Sequence, residues 1–383
     1  MLKLRPYQER AVESAVSFFK QGGSGGLIVL PTGAGKSLVI ANIALRLGEP
    51  ILVLQPSKEI LEQNFQKLAD YGYYDIGIFS ASLNRKQIST VTFATIGSVN
   101  NAKAKFGKFN YCIIDECHFV DPQKGMYNTF LRTSGIKVVG LTATPYRLYS
   151  SRNFGSMLRF ITRTRPRIFS RLLYSCQIGE LLRQGFLSPL NYYEIKCIDT
   201  SQLIVNSIYT DYTDASVKAA YRRIDFSDKL TNIVERLLVA KRTHILVFTR
   251  FVEEARFVAN KVGKEAAIVD GSMPKAEREK VLADFKRGLI KVVANVGVLT
   301  TGFDFPELDT IVIGRPTMSL ALYYQMVGRA IRPAANKVGW IVDLCGSYTR
   351  FGEVKDLELR NTEKGQLAYF SRGKQLTNVF FQR

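Results

Sequence analysis

A glycine-rich stretch between an apolar run and a helical pattern is the part of this sequence best suited to chemistry. It consists of Pro31, Thr32, Gly33, Ala34, Gly35, Lys36 and Ser37. Glycines between a strand and a helix let backbone N–H groups surround a phosphate, and the positive end of the helix adds to the attraction. The pattern predicts a nucleotide site, in which Lys36 contacts the β- and γ-phosphates and the Ser37 hydroxyl binds Mg²⁺. An ordinary turn that happens to contain Gly-Lys-Ser is the alternative.

Two adjacent carboxylates follow a second apolar run, at residues 111–114. Asp115 and Glu116 thus stand at the carboxyl end of a predicted strand, where an open α/β sheet collects its ligand-binding groups. We expect Asp115 to take part in the Mg²⁺ shell and Glu116 to polarise the attacking water. Cys117 and His118 come next and form half of a metal-binding pattern, but no second pair follows at ligand spacing.

The chain is strongly basic, with a formal net charge of +20 over 383 residues. Its charge is uneven, because the segment 146–187 contains eight arginines, no lysine and one acidic residue. One guanidinium group can bind two phosphate oxygens at once, so this composition predicts a nucleic-acid partner. We expect Arg163, Arg165 and Arg167 to contact its phosphates, the alternative being a solvated connector surface.

The sequence predicts neither secretion nor a membrane partner. The first residues lack the apolar core of a signal peptide, and no tract reaches the length of a membrane span. The five cysteines are scattered, which fits a reducing cytoplasm and argues against a disulfide framework or a zinc module.

Short apolar runs alternate with helical patterns along the chain and would position these groups. The first series predicts strands at residues 27–30, 51–54, 91–94, 111–114 and 138–141. The second series predicts strands at 245–248, 266–269, 292–294, 311–313 and 339–342. Strands separated by helices imply parallel sheets. The predicted organisation is a lobe over residues 1–150, an arginine-rich connector over 151–187 and a second lobe over 188–383.

The motifs, taken in order, resemble those of superfamily 2 helicases over nearly the whole chain. The resemblance rests on the phosphate loop, on Asp-Glu-Cys-His at 115–118, on Gly-Leu-Thr-Ala-Thr-Pro at 140–145 and on the stretches 298–304 and 325–332. It implies an α/β fold with two RecA-like parallel-sheet lobes joined by a basic connector. It also implies that ATP and Mg²⁺ bind in the cleft between the lobes and that ATP is hydrolysed there.

The resemblance implies roles for further residues around the nucleotide. Arg5 and Gln8 look like the family's adenine-recognition element, in which the Gln amide pairs with the base edge. Gln325, Arg329 and Arg332 resemble the motif whose arginines stabilise charge on the transferred phosphoryl group. Because the two arginines are three residues apart, we expect them to share one face of a helix.

Other motif residues are expected beside the nucleotide or along the nucleic acid. Gly302 is expected to allow a close backbone turn, and Asp304 to contact the ribose or an arginine. The predicted nucleic-acid contacts, each with a capping or turn role as its alternative, are Gln55, Ser57, Thr95, Ser98, Thr249, Arg250 and Thr300.

Within the superfamily, the pattern is most similar to that of RadD- and UvsW-type repair helicases. This resemblance implies work on single-stranded or branched DNA in repair, recombination or replication, in the cytoplasm of a bacterial or bacteriophage-infected cell. Single-strand-binding or recombination proteins are the expected protein partners. RadD-type proteins carry a cysteine-rich C-terminal module, whereas only Cys345 lies in that region here. The alternatives are an RNA helicase, a motor subunit of a restriction-type complex and an ATP-gated nucleic-acid clamp or annealing protein.

Overall fold

The computed structural model describes residues 3–151, 155–207, 210–300 and 303–380. The chain divides into two compact units. Unit 1 comprises Met1–Arg147 and Leu158–Gln177, and unit 2 comprises Leu148–Met157 and Ile178–Arg383.

Unit 1 is built on an eight-stranded sheet with the strand order β10-β1-β7-β6-β2-β5-β3-β4. Its strands are β1 (Gly26–Val29), β2 (Ile51–Gln55), β3 (Ile76–Ser80), β4 (Arg85–Lys86), β5 (Val91–Thr95), β6 (Tyr111–Asp115), β7 (Lys137–Thr142) and β10 (Arg171–Ser175). Its helices are α1 (Pro6–Lys20), α2 (Lys36–Leu47), α3 (Lys58–Asp70), α4 (Ile96–Asn100) and α5 (Gly125–Ser134). A two-stranded sheet of β8 (Tyr146–Ser151) and β9 (Gly155–Phe160) lies at the boundary of the units.

The pairings in the unit 1 sheet are parallel except for that of β3 with β4, which is antiparallel. Strands β1 and β2 are buried along their whole length, as expected for parallel strands that are covered on both faces. The five strands predicted in this part of the chain are confirmed as β1, β2, β5, β6 and β7.

Unit 2 contains a six-stranded parallel sheet with the order β11-β16-β15-β12-β14-β13. Its strands are β11 (Leu190–Glu194), β12 (Ile245–Thr249), β13 (Ala266–Val269), β14 (Val292–Val296), β15 (Thr310–Gly314) and β16 (Gly339–Asp343). Its helices are α6 (Ile178–Arg183), α7 (Asp214–Arg223), α8 (Phe226–Val239), α9 (Val252–Val262), α10 (Lys275–Lys286), α11 (Leu320–Val327) and α12 (Ser347–Phe351). A small antiparallel sheet follows, formed by β17 (Leu357–Asn361), β18 (Leu367–Ser371) and β19 (Lys374–Gln375).

The core of unit 2 lies where the apolar face of α8 packs with the apolar strands of the sheet. Phe226, Leu230 and Val234 recur every four residues on α8, so they share one face, and they belong to the same buried cluster as Val247 and Val312 of the sheet. The five strands predicted in the second series are confirmed as β12 to β16, and the predicted fold class of two parallel-sheet lobes is confirmed.

The segment 151–187, expected to be a connector, is not a separate linker in the structure. Its residues Leu158–Gln177 belong to unit 1, and its last part belongs to unit 2. The reason is β10, which pairs in parallel with β1 and so becomes the edge strand of the first sheet. The arginine-rich composition therefore marks a surface of unit 1 over much of this segment.

Among the described residues, no helix combines the length and the apolar character needed to cross a bilayer.

Candidate functional site

The phosphate loop joins β1 to α2, as its sequence predicts. Gly35 is the residue before the helix and has a left-handed backbone with φ +78°. A Cβ atom at this position would lie 2.5 Å from the side-chain nitrogen of Gln8, so glycine is required twice over. Helix α2 then begins at Lys36 and has no acidic residue in its first turn. The positive end of the helix is thus available to an anion.

The N-terminal end of α1 contacts this loop. The Gln8 side chain is 2% exposed; it donates from Nε2 to the Ala34 carbonyl at 2.9 Å and accepts from the Arg5 backbone N–H at 2.9 Å. The Tyr7 hydroxyl donates to the same Ala34 carbonyl at 2.9 Å. Both polar ends of Gln8 are therefore engaged within the protein, and its reading of adenine stays a prediction.

The two predicted carboxylates lie at the end of β6. Asp115 is 4% exposed and accepts from Asn64 Nδ2 at 3.2 Å and from the Glu116 N–H at 2.9 Å. Glu116 has a left-handed backbone at φ +46°, an uncommon conformation for a residue with a side chain. Its Oε1 atom lies 3.1 Å from Lys36 Nζ. The structure thus brings the lysine of the loop into direct contact with the carboxylate expected to polarise water.

The pKa values of the two neighbouring carboxyl groups are shifted in opposite directions. Burial, reinforced by the adjacent Glu116 charge, raises the pKa of Asp115 to about 7. Burial also acts to raise the pKa of Glu116, but the charges and hydrogen bonds of Lys36 and His118 outweigh it and hold that pKa below its ordinary value. Glu116 is therefore ionised at neutral pH, as a residue that orients a water molecule must be.

A hydrogen-bond network connects Glu116 to the end of β7. His118 Nδ1 lies 3.3 Å from Glu116 Oε2, 2.8 Å from the Thr142 hydroxyl and 3.2 Å from the Thr144 hydroxyl. Thr142 also accepts from the Thr144 backbone N–H at 3.0 Å. These threonines belong to the stretch 140–145, on which the family resemblance partly rests. They contact the carboxylate both through His118 and directly, because the Thr142 hydroxyl donates to Glu116 Oε2 at 3.4 Å.

The two arginines of unit 2 converge on one acceptor. Arg329 NH1 and Arg332 NH1 each donate to the Phe303 carbonyl at 2.7 Å. Arg329 also donates to the Thr300 carbonyl, and Arg332 pairs with Asp304 at 2.6 Å. The structure therefore brings together the two stretches 300–304 and 325–332, and it pairs Asp304 with one of the arginines. Gly302 lies outside the described residues.

The expectation that Arg329 and Arg332 share a face of a helix is wrong. Helix α11 ends at Val327, and the residues after Gly328 form a turn. The guanidinium groups converge because both side chains bond to the Phe303 carbonyl of the preceding motif, which does not require helical spacing. Gln325 lies on α11 itself and is half-buried.

The three arginines expected to contact phosphates are exposed on unit 1. Arg163, Arg165 and Arg167 lie in the turn after β9 and the loop that follows it. In contrast, Gln55 and Thr249 are 0% exposed because they end the central strands β2 and β12. As placed here, neither of these two side chains reaches a nucleic-acid strand.

The remaining predicted nucleic-acid residues have structural partners. Ser57 caps α3 by accepting from the Ile60 N–H at 3.4 Å. Thr95 and Ser98 are hydrogen-bonded to each other at 3.0 Å. Arg250 donates to Asp214 at 2.8 Å and to the Tyr212 carbonyl at 2.6 Å, and Thr300 accepts from Arg329 through its carbonyl. Their roles toward nucleic acid stay predictions.

Sequence reasoning missed two residues that support the site. Tyr7 bonds to Ala34, and its position beside Gln8 was the available signal. Asn64 bonds to Asp115 from α3, where the other buried positions are Leu61 and Leu68. An asparagine on the apolar face of a helix is such a signal, because a buried amide needs a partner.

Comparison with known proteins identifies both units. Residues 1–147 match the family model described as type III restriction enzyme, res subunit. Residues 228–334 match the model described as helicase conserved C-terminal domain. In both regions the chain is similar to superfamily 2 helicases. The two matched regions contain the phosphate loop and acidic box in one case and the two arginines in the other.

The chain also resembles individual proteins. It is 27% identical over 325 residues to the 51.5 kDa protein of a Lactococcus phage (isolate 7-9), which covers 83% of this chain and 65% of that protein. It is 26% identical over 353 residues to the DNA 3′-5′ helicase XPB of Mycobacterium tuberculosis, which covers 88% of this chain and 60% of XPB.

A solved structure shares the fold of this chain. The ATP-dependent type ISP restriction-modification enzyme LlaBIII bound to DNA matches with a TM-score of 0.67 at 18% identity, over 90% of this chain and 28% of that one. The chain spans only part of the length of its curated relatives, between 49% and 65% for four of them.

Proposed function

We propose that this chain is a helicase that hydrolyses ATP and uses the cycle to move along or remodel single-stranded or branched DNA. The observation that carries the proposal is the contact of Lys36 with Glu116 at the phosphate loop, beside Asp115. Lysine, ionised carboxylate and a helix N-terminus together neutralise a triphosphate and orient an attacking water. The name of the XPB relative, a DNA 3′-5′ helicase, supports DNA as the substrate class.

Glu116 is proposed to orient the attacking water and accept its proton. Its depressed pKa keeps it ionised, and the contacts of Oε1 with Lys36 and of Oε2 with His118 fix its orientation. Lys36 is proposed to exchange its contact with Glu116 for the β- and γ-phosphates when ATP binds, because these carry more negative charge. The exchange releases one oxygen of Glu116 toward the water.

Asp115 and Ser37 are proposed to hold Mg²⁺. Within the described ranges, no three His, Cys, Asp or Glu side chains gather as a metal site of their own. This fits a cation that takes one or two protein oxygens and completes its shell with nucleotide phosphates and water. The buried Asp115, whose pKa burial raises, gains a compensating charge from such a cation. When bound, Mg²⁺ neutralises charge on the phosphates.

Arg329 and Arg332 are proposed to stabilise the charge that develops on the transferred phosphoryl group. An arginine in this role is typically worth about 10³–10⁵ in rate. That these arginines act on ATP is inferred from the sequence motifs and is part of the same proposal. Gln325 and Asp304 are proposed to support this arrangement from the same two motifs.

The biological setting is a separate proposal from the activity. The resemblance to RadD- and UvsW-type helicases points to repair, recombination or replication, with single-strand-binding or recombination proteins as partners. The phage relative supports a bacterial or bacteriophage-infected cell as the setting. A motor subunit of a restriction-type complex is the second candidate, because the family model of unit 1 and the LlaBIII structure both carry restriction-enzyme names.

The test is one panel of substrates assayed for both ATP hydrolysis and strand separation. It contains single-stranded, duplex, forked and four-way DNA and the corresponding RNA molecules. We expect single-stranded or branched DNA to stimulate hydrolysis and forks or junctions to be separated. Stimulation by RNA alone would identify an RNA helicase, and stimulation by duplex DNA without strand separation would favour the restriction-type motor. ATP binding without turnover on any substrate would identify a clamp and overturn the proposal.

A further inference from the structure

An exposed aromatic ring directly follows the acidic box. The side chain of Phe119 is 49% exposed, although the residues around it, His118 and Val120, are buried. Its ring packs against that of His118, with centroids 4.2 Å apart and an angle of 40° between the planes. A ring that is supported on one side and open to solvent on the other is suited to stack on a further flat group.

Exposed cations and a second exposed apolar side chain lie on the segment that follows this ring and on the loop joined to that segment. We define the Phe119 surface as the exposed residues Phe119, Lys124, Met126, Arg165 and Arg167 of unit 1. Met126 is 49% exposed and packs over Gly97, within the predicted nucleic-acid stretch 95–98. The two halves of the surface are joined because Gln123 Nε2 donates to the Arg165 carbonyl at 3.4 Å.

The composition of the Phe119 surface matches single-stranded nucleic acid. Proteins that bind single strands combine basic side chains, which follow the phosphates, with aromatic rings, on which bases stack. The net charge of +20 attracts a polyanion to the chain in general, and the exposed Arg165 and Arg167 belong to the loop that Gln123 joins to the segment after the ring. A duplex offers no such partner, because its bases are already stacked on one another.

A single residue, His118, connects the Phe119 ring to the carboxylate of Glu116. His118 contacts Phe119 with its ring and lies 3.3 Å from Glu116 Oε2 through Nδ1. The same Nδ1 lies 2.8 Å from the Thr142 hydroxyl. A group that presses on Phe119 therefore acts on the imidazole that orients Glu116.

We propose that Phe119 stacks on a base of the bound single strand and, through His118, positions Glu116 for hydrolysis. Phe119 is then a positioning residue for the reaction and a binding residue for the strand. This inference rests on the proposed function, since it assigns the contact by which a strand stimulates ATP hydrolysis. It makes stimulation depend on the bases of the strand as well as on its phosphates.

Fluorescence tests the stack directly. The chain has a single tryptophan, Trp340, so Trp340→Phe with Phe119→Trp places the only indole at the proposed site. We expect an oligo(dT) strand to quench this indole and an abasic strand of the same length to leave it unchanged. Equal quenching by both strands, or by neither, would overturn the stacking proposal.

Kinetics test the effect on hydrolysis. In Phe119→Ala we expect the ratio of oligo(dT)-stimulated to unstimulated turnover to fall about tenfold, in line with the loss of one base stack. Phe119→Tyr should restore most of the ratio. Abasic strands should stimulate the wild type no better than oligo(dT) stimulates Phe119→Ala. Tyr74→Ala is the matched control, because Tyr74 is an 86% exposed aromatic residue of unit 1 outside the site.

The outcomes separate this inference from the proposed function. If the wild type is not stimulated by any nucleic acid, the proposed function fails and the inference fails with it. If the wild type is stimulated and Phe119→Ala is stimulated equally, only the inference fails, and the Phe119 surface contacts another molecule, such as a protein. A proportional loss in Tyr74→Ala would also contradict it, because the effect would then not depend on this ring.

Discussion

At the scale of single residues, Glu116 combines an unfavourable backbone conformation with defined contacts of its carboxylate. Its backbone has φ +46°, and its carboxylate is held by Lys36 and His118. A left-handed conformation costs a residue with a Cβ roughly 1–2 kcal/mol. In this conformation Glu116 Oε1 lies 3.1 Å from the lysine of the phosphate loop and Oε2 lies 3.3 Å from His118 Nδ1.

Replacing the Glu116 carboxylate by an amide tests its role. We expect Glu116→Gln to bind ATP but to lower turnover by at least about 100-fold, because an amide cannot accept a proton from water. Equilibrium binding of a fluorescent ATP analogue and steady-state phosphate release measure the two effects. Glu49→Gln, at an exposed position, is the control. Normal turnover in Glu116→Gln would assign the water-activating role to another group.

Gln55 allows a test of stability at a predicted nucleic-acid position. Its side chain is 0% exposed, and neither of its polar atoms has a hydrogen-bond partner among the described residues. A buried polar group without a partner costs roughly 1–3 kcal/mol. We therefore expect Gln55→Leu to raise the free energy of unfolding by about 1 kcal/mol, as measured by denaturant titration. Destabilisation together with loss of strand binding would instead show that the amide has a functional partner.

The residues of the site differ in how far the sequence could predict them. Lys36, Asp115 and Glu116 lie in short local patterns whose chemistry can be read without knowing the fold. The partner of Asp115 could not be predicted, because Asn64 is 51 positions away and only the packing of α3 brings it close. The burial of Gln55 and Thr249 also depends on which strands are central, and the motifs do not encode that order.

At the scale of elements, helix α2 depends on a glycine at each end. Gly35 and Gly48 both have left-handed backbones, at φ +78° and +70°. A Cβ atom on Gly35 would lie 2.5 Å from Gln8 Nε2, whereas one on Gly48 meets nothing within 4 Å. The two positions therefore share a backbone cost and differ in what a methyl group displaces.

This difference predicts a separation of stability from nucleotide binding. Gly35→Ala and Gly48→Ala should each lower the free energy of unfolding by about 1 kcal/mol. Only Gly35→Ala should also raise KM for ATP, by about tenfold, because it displaces Gln8 from the Ala34 carbonyl. Steady-state kinetics and thermal unfolding measure both quantities. If Gly48→Ala raises KM equally, the cause is the weakened helix rather than Gln8.

Most of the central strands could be predicted from the sequence, whereas the edge strands β10 and β11 could not. Strands β2 and β12 are buried along their length, so both need a continuous apolar run. Strand β11 alternates half-buried and exposed positions, and β10 is half-buried or exposed throughout. Their partners β16 and β1 are far away in sequence, and the arginine-rich composition around β10 favoured a linker.

At the scale of the whole molecule, the net charge of +20 attracts any polyanion. This general attraction must be distinguished from the contacts of particular side chains with phosphates. Every exposed cation raises the local concentration of a polyanion, but only those that touch phosphates release counterions on binding. Arg163, Arg165 and Arg167 are exposed on unit 1, and their contact with a strand stays a prediction.

Charge reversal at these arginines separates the two effects. Changing all three to Glu lowers the net charge from +20 to +14. We expect weaker binding of single-stranded DNA and a slope of log affinity against log salt that is flatter by about 2. Fluorescence anisotropy over a series of salt concentrations measures both. Changing the exposed residues Lys229, Lys264 and Lys280 to Glu alters the net charge equally and is the control. Equal slopes in the two variants would make the arginines a solvated surface.

The shared acceptor of Arg329 and Arg332 gives unit 2 a form of redundancy. The Phe303 carbonyl receives one hydrogen bond from each guanidinium, so either arginine can turn away while the other continues to satisfy the oxygen. The same rotation would leave a carbonyl that has a single donor without a hydrogen bond, which costs roughly 1–3 kcal/mol of stability. Reorienting one arginine at a time is therefore a low-cost event at this carbonyl, and the two side chains need not act in the same step.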